Sequence, residues 1–183
     1  EKWLAIGIYI FTLVLWLSQA VNPAFTATPP RAPNFEIYPF SDPQIYVQYS
    51  QSALVGNGFL YPDVPSRPLY IAFLTWFHLL GSQDYNNVVF LQSLILAFFP
   101  VTLYFIGKEL GSRTLGFALA ILIAFRDVNA NIAVPFASNV TYSKLFLSEM
   151  PLALCISLVV LFTIRWLKKY QQSSWMPLLI GTM

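Results

Sequence analysis

Residues 149–169, EMPLALCISLVVLFTIRWLKK, decide what kind of protein this is. Fifteen uncharged residues, Met150 to Ile164, separate Glu149 from the basic cluster Arg165, Lys168 and Lys169. A helix rises about 1.5 Å per residue, so the run covers roughly 22 Å of a hydrocarbon layer about 30 Å thick. The stretch predicts a membrane span with Glu149 drawn below the outer interface. A carboxylate at that depth is costly and by default faces a wet cavity. The plainer account is that the helix dipole favours an acid in a first turn.

The rest of the chain agrees with a bilayer environment. It is 57% hydrophobic, 17% aromatic and 10% charged, against about 25% charged residues in a soluble domain. The net charge of +2 and the scattered basic residues exclude a nucleic-acid surface. A single cysteine, Cys155, rules out a disulfide framework, and its place in an apolar run suggests a small packing residue rather than a reactive thiol. The chain starts without Met and stops inside an apolar stretch begun at Trp175. It reads as the N-terminal part of a longer polytopic protein. No small-x-small cleavage site follows the first apolar run promptly, so that run is not a cleaved signal.

The predicted fold class is all-α: a polytopic membrane protein with about four transmembrane helices and the start of a fifth. The spans fall at about 3–21, 86–107, 114–131 and 146–166, with 175–183 opening the fifth, and Pro100 predicts a kink in the second. Lys2, Lys108, Arg113, Arg165, Lys168 and Lys169 fall on one side of the alternating topology, and Arg31, Arg67, Arg126 and Lys144 on the other. The positive-inside rule then makes the first terminus cytoplasmic and the loop 22–85 external. Glu109 and Arg113 predict an i,i+4 ion pair on the cytoplasmic side.

The external loop has structure of its own. Thr28-Pro29-Pro30-Arg31-Ala32-Pro33 is extended and turn-rich. Ser41-Asp42-Pro43 starts a helix over about 42–54, whose residues Asp42, Ile45, Tyr46 and Tyr49 share a face, and Gly56-Asn57-Gly58 ends it. A second helix, about 68–80, follows Arg67-Pro68 and stops at Gly81. Its twelve aromatic-rich residues from Leu69 to Leu80 are too few to span, so this helix lies in the interface. No internal repeat is seen.

Each residue with chemical potential also has a plain structural account. Asp42 caps a helix or acts as a base. Arg67 grips a lipid phosphate through its planar guanidinium or snorkels among headgroups. Tyr46, with Tyr49, Tyr70 and Trp76, forms an interface belt or a sugar platform. Arg126 and Asp127 face an interior cavity as substrate contacts, or the third helix tilts or breaks and leaves both in protein contacts. Lys144 is an interface anchor. His78 lacks companion ligands at zinc spacing and reads as a packed or interface histidine. Asn139-Val140-Thr141 is an outward sequon. There is no phosphate-binding glycine loop, nucleotide fingerprint or Ser-His-Asp elbow.

The order of these features resembles a known family. One span leads to an outer loop with Asp42, Gly56-x-Gly58 and Arg67-Pro68-Leu69-Tyr70. A span then closes with Tyr104-x-x-Gly107-Lys108-Glu109-Leu110-Gly111, a third opens near Gly116, and Leu147-Ser148-Glu149-Met150-Pro151-Leu152 opens the fourth. From Trp3 to Lys169 this is similar to the GT-C membrane glycosyltransferases, in particular the family 39 and protein-mannosyltransferase-like branch that includes the aminoarabinose transferases of lipid A. The resemblance implies transfer of a sugar from a polyprenyl-phosphate carrier to an acceptor on the outer face. It implies that Asp42 is the catalytic base, that Glu149 lines the same cavity and that Arg67 lies near the carrier phosphate. Many relatives have a second acid where this chain has Pro43. No cofactor is therefore assigned, and a divalent metal stays open. The implied partners are membrane lipid and the polyprenyl-phosphate sugar, with the acceptor unassigned. A different class, a transporter or channel subunit using Glu149 and the Arg126–Asp127 pair, predicts proton-coupled uptake. The repeats and paired broken helices that many transporters carry are not visible.

Overall fold

The computed structural model describes every residue except 32–35, 60–62, 138–139, 170–180 and 182–183, and gives the backbone alone for 30, 31, 36 and 37. The expected fifth span and the sequon's Asn139 lie outside the described residues. The chain runs α1 (Lys2–Ser18), β1 (Ala27–Arg31), β2 (Glu36–Pro39), α2 (Asp42–Leu54), α3 (Pro68–Leu80), α4 (Tyr85–Leu96), α5 (Phe98–Leu110), α6 (Arg113–Ala133) and α7 (Glu149–Lys168). The protein is mostly helical. Three helical stretches are long and apolar enough to cross a membrane: 85–110, 113–133 and 149–168.

The first apolar run forms a helix of 17 residues that stops at Ser18, short of the expected 21. The second is one rod of 26 residues bent at Ala97. Pro100 accounts for the bend, because it offers no N–H to the Leu96 carbonyl and its ring crowds that oxygen. The third does not break at Arg126 but continues as helix to Ala133.

The all-α expectation needs one correction. The Pro-rich stretch of the outer loop is a β-hairpin, with Ala27 opposite Pro39, Thr28 opposite Tyr38 and Arg31 opposite Glu36. The register is irregular between Thr28 and Arg31, where Pro29 and Pro30 supply no amide hydrogens. Proline is tolerated only at such edges and irregularities.

α5 and α6 make a tight antiparallel hairpin. A Cβ on Gly107 would lie 2.7 Å from the Gly116 Cα, and one on Gly116 would lie 2.2 Å from the Tyr104 carbonyl oxygen. Small residues that let helix backbones touch are how helices associate without a hydrophobic drive from lipid. α1 lies against this hairpin. Trp16, 1% exposed, donates its indole N–H to the Ala124 carbonyl at 3.0 Å, and the Tyr9 hydroxyl donates to the Leu94 carbonyl at 3.0 Å. Ile8, Val101, Tyr104 and Ala120 pack together near one end, and Trp16, Leu96, Phe99, Met150 and Leu154 further along.

The start of α1, the end of α5, the start of α6 and the end of α7 converge at one end of the bundle. Glu1 pairs with Lys108 at 2.7 Å and Arg113 at 3.0 Å, and Glu109 with Arg165 at 3.4 Å and Lys168 at 3.2 Å. The expected Glu109–Arg113 pair does not form. α5 ends at Leu110, and Ser112 starts a new helix by accepting the Leu115 N–H on its hydroxyl at 3.1 Å. Two residues four apart in sequence thus sit on different helices. Arg165 also lies 5.2 Å from the centre of the Phe105 ring. The helix of α7 passes through this basic residue to a length of 20 residues, about 30 Å and enough for a bilayer core. Cys155 is exposed on α7 rather than packed inside, beside the outward Leu152 and Ile156.

At the other end, α2 and α3 pack on each other and on the start of α4. Their core includes Tyr46, Val47, Tyr70, Leu74 and Phe77, and Leu145 and Phe146 from the loop before α7 complete it. Leu69, Trp76, Leu79 and Leu80 of α3 remain exposed.

Candidate functional site

The segment joining α6 to α7 looks like a free loop in sequence, yet Tyr142 to Leu147 is buried. Asp127, on α6, accepts the Ser143 N–H and the Ser143 hydroxyl, each at 2.8 Å. Gln92, on α4, donates its amide to the Ser143 and Leu145 carbonyls at 2.7 and 2.8 Å and accepts the Tyr70 hydroxyl of α3 at 3.0 Å. Arg126 donates to the Thr141 carbonyl at 2.6 Å and reaches the Met150 sulfur at 3.7 Å. Non-helical backbone among apolar helices must have its polar groups satisfied by protein, and these side chains do that.

Lys144 is not an anchor in the headgroups. It is 8% exposed and donates to the carbonyls of Leu17 and Gln19 at the end of α1. A cation favours a helix C-terminus, where carbonyls lack partners. Burial lowers its pKa, and nearby Asp127 opposes that. Asn131 tightens the same corner: it accepts the Asn22 N–H at 3.2 Å and donates to the Ala20 carbonyl at 2.7 Å.

This clamped loop delivers Glu149 to the first turn of α7, where it is exposed. Asp42 and Arg67 come from the outer loop. Asp42 is not the cap of α2. Ser41 holds that position without a side-chain hydrogen bond, and Asp42 is the first helical residue, exposed beside the positive end of the helix. Ser41 has φ of 60°, a backbone region costly for a residue with a Cβ and met most often at functional positions. Arg67 precedes α3, likewise exposed.

Tyr46 lies within electrostatic reach of all three groups. Burial raises the pKa of its phenol, Asp42 raises it further, Arg67 lowers it, Glu149 raises it, and the Ser66 side chain lowers it. The charges of α2, the α3 entry and the α7 entry therefore all act on one hydroxyl. Tyr70 stands behind it, its ring centre 5.5 Å from that of Tyr46 and edge-on at 90°. Its phenol is also raised, by burial first, then by Glu149 and Tyr46. Four of the six residues singled out in sequence, Asp42, Tyr46, Arg67 and Glu149, thus share one electrostatic neighbourhood. Arg126 and Asp127 do not line this place directly. They hold the loop that leads to Glu149. Tyr70 stands out in sequence only as an aromatic of the interface helix, and Gln92 and Ser143, which complete the support, carry no sequence signal beyond being polar within or beside apolar runs.

The arrangement presents two exposed carboxylates and an exposed guanidinium, with the buried Tyr46 phenol behind them, at the end of the bundle away from the ion-paired cluster. A guanidinium with an acid beside it suits a phosphate ester carrying a nearby hydroxyl. Among the described residues no three His, Cys, Asp or Glu side chains gather as a metal site. His78 is wholly buried and packs against the rings of Tyr85 and Phe146. Three grooves lie under the β-hairpin, between the hairpin and α2, and between the end of α2 and α3, and none of these is lined by Asp42, Arg67 or Glu149. Comparison with protein-family models, with curated proteins and with solved structures finds no match.

Proposed function

We infer that the protein transfers a sugar from a polyprenyl-phosphate carrier to an acceptor hydroxyl at the outer membrane face. The observation that carries this reading is that the charges of Asp42, Arg67 and Glu149 all act on the Tyr46 phenol. Arg67 binds the carrier phosphate. Asp42 takes the proton of the acceptor hydroxyl as its oxygen bonds to the anomeric carbon. The bond from that carbon to the phosphate oxygen breaks, and the polyprenyl phosphate leaves with the electron pair. Attack opposite the leaving group inverts the anomeric centre. Glu149 accepts hydrogen bonds from sugar hydroxyls. The exposed apolar residues of α3, Leu69, Trp76 and Leu80, support a helix resting on the membrane beside a lipid carrier.

The test compares wild type with Asp42→Asn at matched expression, in membranes lacking the activity, supplied with labelled polyprenyl-phosphate sugars. General-base catalysis contributes about 10²–10⁴-fold, so the variant is expected to lose at least about a hundredfold in transfer. Equal turnover by both proteins removes Asp42 as the base. The transport alternative drew on Glu149 and the Arg126–Asp127 pair. Arg126 and Asp127 are engaged by Thr141 and Ser143, and proton-coupled uptake abolished by Glu149→Gln would favour that alternative through Glu149 alone.

A further inference from the structure

A second surface lies across α2 from Asp42. Gln44, Gln48 and Gln51 follow one another at i, i+4 and i+7 and share one helix face. Asp42, Tyr46 and Tyr49 occupy the opposite face. The three glutamines form one wall of a groove, and Tyr38, Phe40 and Tyr85 stand in the other. The hairpin builds that second wall. Thr28 donates its hydroxyl to the Tyr38 carbonyl at 3.1 Å, and the Tyr38 and Tyr85 rings meet edge-on with centres 6.2 Å apart.

The chemistry of the walls defines the ligand. Among the described residues no Asp, Glu, Lys or Arg lines the groove, so an ionic ligand meets no counter-charge. Each glutamine offers both an acceptor and two donors, which matches hydroxyl groups that donate and accept. Aromatic rings offer flat apolar faces, which match the C–H face of a sugar ring. An extended peptide would instead seek a free strand edge. Here β2 ends at Pro39, and β1 carries Pro29 and Pro30, none of which has an N–H to offer.

We propose that this groove binds an uncharged oligosaccharide, with sugar rings against Tyr38 and Phe40 and hydroxyls on the amides of Gln44 and Gln48. The binding does not depend on a catalytic role for Asp42, which is on the other side of the helix. Should the protein prove to be a sugar transferase, the groove gives a glycan acceptor a place to bind beside α2.

The experiment is saturation-transfer NMR with affinity titration on the whole protein in nanodiscs. The probes are mannotetraose, maltotetraose and chitotetraose, with tetragalacturonate as the charged comparison. At least one neutral tetrasaccharide is expected to bind, more tightly than tetragalacturonate. Gln44→Ala and Gln48→Ala are each expected to weaken it about three- to tenfold, the worth of a hydrogen bond. Both side chains are exposed, so the melting temperature should not move. Asp42→Asn should bind as wild type. Absence of binding by all three neutral probes overturns the proposal, as does binding indifferent to both glutamine variants. Loss of binding in Asp42→Asn would also overturn it by placing the saccharide on the opposite face. Normal saccharide binding without sugar transfer from polyprenyl carriers keeps the groove and removes the transferase reading.

Discussion

His78 shows what a single residue can conceal. It stands alone on an aromatic helix, and its ring is buried with neither nitrogen in a well-formed hydrogen bond, the Gln83 side chain being the hydrogen-bonding group that acts on it. Burial lowers its pKa from 6.5 to about 4, with Gln83 opposing. The folded state therefore keeps the ring neutral at pH values where the unfolded chain binds a proton. The stabilisation is complete above pH 6.5 and is lost as pH falls toward 4, in all on the order of 3 kcal/mol. Thermal melts in detergent should show wild type losing stability across that window and His78→Leu losing distinctly less. Parallel curves would rule out His78 as the source. The same scale explains what was legible at the site. Asp42, Arg67 and Glu149 stood out because each charge interrupts or borders an apolar or proline-marked stretch. Gln92 did not, since a lone amide in an apolar run has no pattern. Only the folded chain shows that it joins Tyr70 to the backbone at Ser143 and Leu145.

Elements were legible where one local rule governs them. The helices at 42–54 and 68–80 begin at Pro-marked entries and stop at Gly-containing ends. The bend of the second span follows from Pro100. The β-hairpin was missed because its prolines argue against a strand locally, whereas pairing across the loop decides. Pairing between elements was equally hidden. Nothing local reveals that Gly107 and Gly116 are where two backbones touch, with the Tyr104 carbonyl 2.2 Å from where a Gly116 Cβ would be. That obstacle is backbone and cannot swing aside. Gly116→Val should cost about 3 kcal/mol or prevent folding. Gly7 is the control: it lies within α1, and a Cβ there meets nothing within 4 Å. Gly7→Ala should be neutral or stabilise by up to about 1 kcal/mol. Melting temperatures in one detergent check the pair, and a fully stable Gly116→Val would mean that α5 and α6 do not approach this closely.

The whole molecule has two chemically different ends, and this makes its orientation testable. Lys108, Arg113, Arg165 and Lys168 sit with Glu1 and Glu109 at one end. Asp42, Arg67 and Glu149 gather around Tyr46 at the other. α6 and α7 have 21 and 20 residues, about 30 Å each, so either one separates the two ends by the thickness of a hydrocarbon core. Short basic segments favour the cytoplasm, which predicts the first end inside and the acids outside. Single cysteines can read this in a Cys155→Ser background, because Cys155 is itself exposed. Val64, between α2 and α3, and Thr114, at the start of α6, are both exposed. In intact cells a membrane-impermeant maleimide should label Val64→Cys at once and Thr114→Cys only after permeabilisation. The reverse pattern would place Asp42 on the cytoplasmic side and remove the outer-face reaction. Labelling of both from outside would mean that the rod 85–110 and α6 do not cross as a pair. The expected pattern has a mechanistic consequence. The proposed carrier, whose sugar hangs from a lipid phosphate, would need the acids and Arg67 at a lipid headgroup level, and the end that the ion pairs leave free carries them.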